Sequence, residues 1–290
     1  MAHLSEAADV FEDKRRRLFG IAYRILGTVA DAEDVVQDAW LRWQATDRSV
    51  VLNPEAFLVT TITRLAINVA TSARARREHY VGPWLPEPVP TGDDDPYLGA
   101  ERAEALSVAM LTLMERLPPA ERAVYVLREA FDYPFREIAE VLHTSEANAR
   151  QLAHRARKHL AGRRGAPAQR EEMSRLLEAF QSASRTGNLH DLEQLLAEDV
   201  VTISDGGGKV SAARRPVTGR DHVTRFLGGA LRHLGPSTTL EIIDANGEAC
   251  LLIKQGTEVV GIATISTDAG AIDGIYIVRN PDKLASAGAW

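Results

Sequence analysis

From Arg150 to Arg164 the chain carries Arg150, Arg155, Arg157, Lys158, Arg163 and Arg164 without an intervening acid. Cations at that density neutralise phosphates, while Asn148, Gln151 and His154 among them can hydrogen-bond base edges. A second cluster, Arg74, Arg76 and Arg77, offers charge neutralisation but no sequence reading. The opposite chemistry stands at Asp31, Asp34 and Asp38, spaced i, i+3, i+7 along one helix face, with Gln37 beside them. In the last third Asp205, Asp221, His222, Asp244 and Asp273 could serve acid–base work, but strand ends and helix caps account for them better. Gly206-Gly207-Gly208-Lys209 lacks P-loop spacing and reads as a turn or bulge. No metal motif and no cofactor fingerprint stands out. The single cysteine, Cys250, excludes an internal disulfide and Cys-cluster zinc, which fits the cytoplasm.

These groups need helices and a sheet to position them. Phe135 to Leu142 and Glu146 to Leu160, joined by His143-Thr144-Ser145 with Ser145 as N-cap, read as a helix-turn-helix. Ile138, Ala139 and Leu142 would pack against Ala149, Leu152 and Ala156. That leaves Glu146, Asn148, Arg150, Gln151, His154, Arg155, Arg157 and Lys158 for a major groove and its phosphates. Upstream, Leu18, Phe19, Ala22, Ile25 and Leu26 predict a helix stopped by Gly27. Val36, Trp40 and Trp43 form the apolar stripe of the next, and Pro54 starts a third that runs into the arginines. Residues 81–96 are proline-rich and read as an extended linker carrying an apolar anchor, Trp84-Leu85. Beyond residue 167 two helices, Glu171 to Arg185 and Asp191 to Ala197, precede a third at Asp221 to Leu234. Strands follow, paired as hairpins at Asn246-Gly247 and Asp268-Ala269-Gly270, and predict an α+β domain with a curved antiparallel sheet.

At 290 residues the chain exceeds one ordinary domain, and its 45% hydrophobic content supplies more than one core. The net charge of −6 argues against a uniformly basic nucleic-acid binder, so local clustering decides the matter. No apolar run of spanning length stands out, and the N-terminus lacks a secretory pattern, so no membrane association is expected.

Asp31-Ala-Glu-Asp-Val-Val-Gln-Asp-Ala-Trp40 resembles the core helix of region 2 in bacterial sigma-70 factors. Phe135-Arg-Glu-Ile-Ala-Glu-Val-Leu142 with His154-Arg-Ala-Arg-Lys158 resembles region 4. Both motifs in order, with no region 3 between them, resemble the extracytoplasmic-function sigma factors. Tyr80-Val-Gly-Pro-Trp-Leu-Pro-Glu-Pro88, Asp205-Gly-Gly-Gly-Lys209 and Asn280-Pro-Asp-Lys-Leu284 resemble the subgroup with a fused SnoaL-like domain. The resemblance implies two all-α sigma domains followed by an α+β SnoaL-like cone. The boundaries are 1–80 for region 2, 81–103 for the linker, 104–164 for region 4 and 168–290 for the cone. It implies no catalytic activity of the chain's own, with RNA polymerase core and promoter DNA as partners. Asp34, Gln37 and Asp38 would dock on the β′ coiled coil. Arg64, Asn68, Arg74, Arg76 and Arg77 would meet the promoter element nearer the start site, and the helix-turn-helix the upstream one.

An apolar anchor left in water costs about 1.5–3 kcal/mol, so the linker should dock. Trp84, Leu85, Pro86, Glu87 and Pro88 are expected to meet Asp205, Gly206, Gly207, Gly208 and Lys209, with Lys209 pairing Glu87. Asn280, Pro281, Asp282, Lys283 and Leu284 would brace the contact and so modulate activity. Alternative readings are a ligand-responsive helix-turn-helix regulator working without polymerase and a tethered enzyme. A small ligand in the C-terminal domain is left open.

Overall fold

A computed structural model of the chain describes residues 2–77, 79–91, 107–161, 166–167, 169–233, 235 and 237–285. Side chains are placed for all of these except 2–6, 74–76, 166–167 and 184. The chain forms two compact units. One comprises residues 1–78, 93–105 and 113–162, the other residues 79–92, 106–112 and 163–290. The first part of the expected linker, residues 81–91, belongs to the C-terminal unit together with residues 79 and 80. Residues 92–103 of that expected linker lie outside the described residues.

In the helical unit, α1 (Ala2–Leu26), α2 (Val29–Ala45) and α3 (Pro54–Arg77) pack on one another. Leu18, Phe19, Ala22, Ile25 and Leu26 are buried as their spacing predicts. Gly27 ends α1 at φ 76°, a left-handed turn that a side chain resists. On α2, Ala32, Val35, Val36, Ala39 and Trp43 face inward, and the Trp43 indole donates to Ala7 O at 3.0 Å. Trp40, expected in the buried stripe, is half-exposed and lies 5.0 Å from the Phe11 ring. Asn53 caps α3 by accepting from Ala56 N at 3.1 Å. The stretch Pro54–Ala73 is long and apolar enough to cross a membrane by length and composition, contrary to the sequence expectation. Its apolar face, including Leu58, Val59, Ile62, Leu65 and Ala66, lies in the interior of this bundle.

Pro118-Pro119 separates α4 (Val108–Met114) from α5 (Pro119–Tyr125), which continues into a π-turn at Val126–Ala130. Then come α6 (Phe135–Val141) and α7 (Glu146–Leu160). Ile138, Ala139, Ala149, Leu152 and Ala156 pack as predicted. Leu142 does not: it is the half-exposed C-cap at φ −93°, and Val141 takes the buried place.

The C-terminal unit places α8 (Arg170–Thr186), α9 (His190–Gln194) and α10 (Arg220–His233) against a sheet. Its strands are β1 (Ala166–Pro167), β2 (Leu196–Asp205), β3 (Val217–Thr218), β4 (Thr238–Ala245), β5 (Glu248–Gln255), β6 (Glu258–Asp268) and β7 (Ala271–Val278). The order is β3-β2-β7-β6-β5-β4, with β1 on β6. Asn246 and Gly247 have φ 53° and 72° between paired Ala245 and Glu248, the two left-handed residues a tight hairpin requires. One expectation fails: β2 and β7 run parallel, so the sheet is not wholly antiparallel. In the chain, β3, α10 and β4 to β6 lie between these two neighbouring strands. Leu196, expected at a helix end, starts β2.

Side chains alternate between two cores. Leu251, Ala263 and Ile275 join the helix-side core, while Cys250, Leu252, Ile262 and Val278 form the other. Glu248, at the start of β5, accepts from Val108 N at 2.9 Å, and its Oε2 is buried with no hydrogen-bond partner among the described residues. Burial pushes its carboxyl up to about 8. Its folded value lies above the unfolded one, so its favourable contribution is complete in acid and is lost as pH rises to about 8. Glu248→Gln keeps the acceptor and removes the charge. We expect urea midpoints at pH 8 to rise, and the decline in stability between pH 5 and 8 to flatten.

Candidate nucleic-acid interface and linker seat

Ser145 accepts from Asn148 N at 3.2 Å and starts α7, whose Ala149, Leu152, Ala153, Ala156 and Leu160 face the unit's interior. Glu146, Arg150, Gln151, His154, Arg155, Arg157 and Lys158 are exposed, and Asn148 is half-buried. The polar set is not equivalent. Arg155 Nε donates to the buried Glu121 at 2.9 Å, and Arg157 to Glu129 at 2.6 and 3.0 Å. The Asn148 amide donates to Thr144 at 2.7 Å. Arg150 pairs with Glu146 and lies 4.7 Å from the Phe135 ring centroid. Gln151, His154 and Lys158 occupy the stripe opposite the core, at i, i+3, i+7. Gln151→Ala should therefore change base preference, while Lys158→Ala should weaken all sequences alike and lower the salt slope by about 1. Binding titrations on cognate and scrambled duplexes at several salt concentrations separate the two. Equal sequence-independent losses would exclude base reading by Gln151.

In the other basic segment, Arg64 and Arg77 are engaged inside the same unit. Arg64 on α3 donates to Val141 O at 2.8 Å and Glu140 O at 3.3 Å, carbonyls at the C-terminal end of α6. Arg77 pairs with Glu115 and donates to Leu26 O at 2.7 Å. Glu115 also pairs with the buried Arg122, which reaches Ile25 O at 2.7 Å. Asn68 is exposed, and the Arg74 and Arg76 side chains lie outside the described residues. The α1–α3 bundle and the helix-turn-helix are thus clamped together through arginines that were expected to meet DNA.

On α2 the outer face carries Asp34, Gln37, Asp38 and Leu41 at i, i+3, i+4, i+7, all exposed. Leu41, at 54% exposure, is an apolar residue in an acidic stripe, and Val50 and Leu52 are more exposed still. Asp31, half-exposed in the first turn of α2, accepts from Thr28 Oγ1 at 2.6 Å.

In the C-terminal unit, residues 79–91 rest on the sheet. Asp205, fully buried at the end of β2, accepts from Tyr80 OH at 2.6 Å, Leu85 N at 2.9 Å, Gly207 N at 2.9 Å and Lys283 Nζ at 2.7 Å. Burial, then the bond to Asp205, pushes the Tyr80 phenol well above its usual range, so it remains a donor. Lys283 also reaches Leu85 O and lies 4.1 Å from the Trp84 ring centroid. Leu85 enters the second core with Cys250, Leu252 and Leu284, and Pro86, Glu87 and Pro88 are buried beside it. Val89 and Asn246 exchange bonds of 2.9 and 3.0 Å at the β4–β5 turn.

Asn280 caps α11 (Pro281–Leu284) through Asp282 N and donates to Tyr80 OH at 2.9 Å. Gly207, at φ 61°, would drive a Cβ to 2.5 Å from the Asn280 side chain, and a Cβ on Gly206 would meet Val210 O at 2.5 Å. A Cβ on Gly208 would approach Val81 at 3.0 Å. Lys209 pairs with Asp282 at 2.7 Å rather than with Glu87, because α11 brings that carboxylate to the turn while Glu87 is buried. Sequence reasoning weighed Asp205 as an acid–base group. Its neighbours make it the anchor of the seat. The other acid–base residues hold structural positions: Asp244 pairs with Arg170 at 2.6 Å, Asp273 accepts from Ser266 at 2.6 Å, and His222 reaches Thr218 O at 3.1 Å. Asp221 sits in the first turn of α10.

Sigma-70 region 2 matches residues 10–77 and sigma-70 region 4 matches residues 107–160. The chain is 39% identical to "ECF RNA polymerase sigma factor SigJ" of Mycobacterium tuberculosis over 298 residues, 96% of this chain and 93% of that one. It is 30% identical to "Probable ECF RNA polymerase sigma factor SigI" of the same species over 278 residues, 93% and 92% of the two. The crystal structure of M. tuberculosis SigJ superposes with a TM-score of 0.76 at 38% identity, covering 96% of this chain and 98% of that one.

Proposed function

The chain belongs to the extracytoplasmic-function sigma factors of the sigma-70 family, and from that premise we propose how its parts divide the work. It directs promoter-specific initiation with RNA polymerase core, through helical sigma domains followed by an α+β SnoaL-like cone. On our reading α2 docks on the β′ coiled coil by its Asp34–Gln37–Asp38–Leu41 stripe. The α7 stripe of Gln151, His154 and Lys158 meets the upstream element, and α3 with its arginines meets the element nearer the start site. The chain has no catalytic cycle of its own and acts in the cytoplasm, where the polymerase does the chemistry.

The observation that carries this division is the clamp on Arg64 and Arg77. Both arginines are held by partners in the helical unit. They must leave those partners before they can meet phosphates, so the clamped arrangement is a resting state. The cone modulates its release by holding residues 79–91 on Asp205, which sets how much chain is free to let the sigma domains separate.

Run-off transcription with purified core tests both levels. Wild-type chain should give core-dependent transcripts from its promoter and none from a scrambled one. Gly207→Val forces a side chain against Asn280 at a left-handed position and should disturb the seat. At matched concentration it should change transcript yield by several-fold while circular dichroism retains the helical signal. Equal yields would leave the cone without a regulatory role, and the absence of any core-dependent transcript would remove the initiation reading.

A further inference from the structure

Between α8, α10 and the sheet face they cover lies a cavity of about 640 Å³, within the size range of small-molecule sites. Its buried lining is mostly apolar, with Leu176, Leu227, Leu251, Ala263 and Ile275, and includes Ser204, whose Oγ accepts from Ala213 N at 2.8 Å. Its charged lining is wholly cationic or potentially so, consisting of Arg225, His233 and Arg279, with no aspartate or glutamate. Arg225 and His233 are exposed and stand at i and i+8 on α10, with Gly229 between them at i+4, where a Cβ would meet the end of the Arg232 side chain at 3.8 Å. Arg225 gives its Nε to Asp221 O at 3.2 Å, and Arg279 one nitrogen to Ser211 O at 2.7 Å. Among the described residues neither has a carboxylate partner.

An apolar interior with unneutralised cations on its solvent side is the complement of an amphiphile with an anionic head. We propose that this cavity binds a small amphiphile bearing one carboxylate-class group, its apolar body between helices and sheet and its head on Arg225 and Arg279. Asp221, Asp244 and Asp273 stand outside the lining, so no carboxylate there opposes an anionic head. One strand separates this site from the linker seat: Leu251 of β5 lines the cavity, and Leu252 packs with Leu85.

The inference concerns the C-terminal unit and is tested without polymerase, so its failure leaves the initiation reading untouched. Isothermal titration of the full chain with decanoate, decanol and decyltrimethylammonium, each below its micellar concentration, provides the probes. Decanoate should bind one to one, decanol about tenfold more weakly, and the cation not at all. Arg225→Gln with Arg279→Gln should weaken decanoate about tenfold and leave decanol unchanged, since the head contact is lost and the apolar body retained. Ile253→Trp, which fills the cavity from β5, should abolish both. Equal affinity for decanoate and decanol, or a double glutamine variant that binds decanoate normally, overturns the anionic head. Absence of saturable heat with every probe overturns the site itself.

Discussion

Lys283→Met should lower the stability of the C-terminal unit by about 3–5 kcal/mol, the cost of stranding one partner of a buried ion pair. Asp205 is fully buried and the Lys283 side chain is 7% exposed. Without the ammonium, the donors left to the carboxylate among the described residues are neutral, Tyr80 OH and the amides of Leu85 and Gly207. Leu85 O also loses the donor that Lys283 supplied. Asp205→Asn should be damaging for the converse reason, since it leaves Lys283 a buried cation. The double variant Asp205→Asn with Lys283→Met should recover much of the loss, because a buried pair replaced as a whole often costs little. Urea denaturation of the full chain, with hydrogen exchange of β7 and α11 peptides to assign the transition, measures all three. A single-variant loss under about 1 kcal/mol, the size of an exposed pair, would show that water reaches Asp205. The consequence for function follows from position: the same pair fixes Leu85 and hence the start of the segment that leads from cone to sigma domains.

Much of this was readable from residue types. The helix-turn-helix was legible because α6 and α7 are punctuated by local signals, Ser145 as a cap and alanines on the packing face. The hairpin at Asn246-Gly247 was legible because asparagine and glycine accept successive left-handed angles more readily than other residues. The docking of the linker on the Asp205 turn was expected from the cost of exposing Trp84 and Leu85, and from resemblance. What sequence could not supply was pairing across distance. The parallel β2–β7 contact depends on strands about seventy positions apart, and no local pattern specifies it. Lys209 chose Asp282 over Glu87 because α11 stands beside the turn. The arginines of α3 and α7 looked alike as cations. Only tertiary structure separates Lys158, facing outward, from Arg155 and Arg64, which satisfy a buried carboxylate and the end of a helix.

Polymerase association should be abolished by the double change Asp34→Lys with Asp38→Lys, while the free chain remains folded. Both residues are exposed on α2, and neither is ion-paired among the described residues. The core side of the helix is formed by Val35, Val36, Ala39 and Trp43 and is untouched. Replacing two acids by two lysines reverses the charge of the stripe, so arginines of a partner helix would meet cations. Like charges brought together across an interface cost several kcal/mol, and several kcal/mol is a hundredfold or more in affinity. Leu41→Ala on the same stripe should weaken association by a smaller factor, because it removes apolar contact without repulsion. Co-purification with core, followed by competition against wild-type chain, reads both effects. Circular dichroism and the urea midpoint of the free variants confirm that the bundle survives. Normal recovery of core with the double-lysine variant would move the docking face off α2. Val50 and Leu52, two further strongly exposed apolar residues of the helical unit, would then be the surface to test.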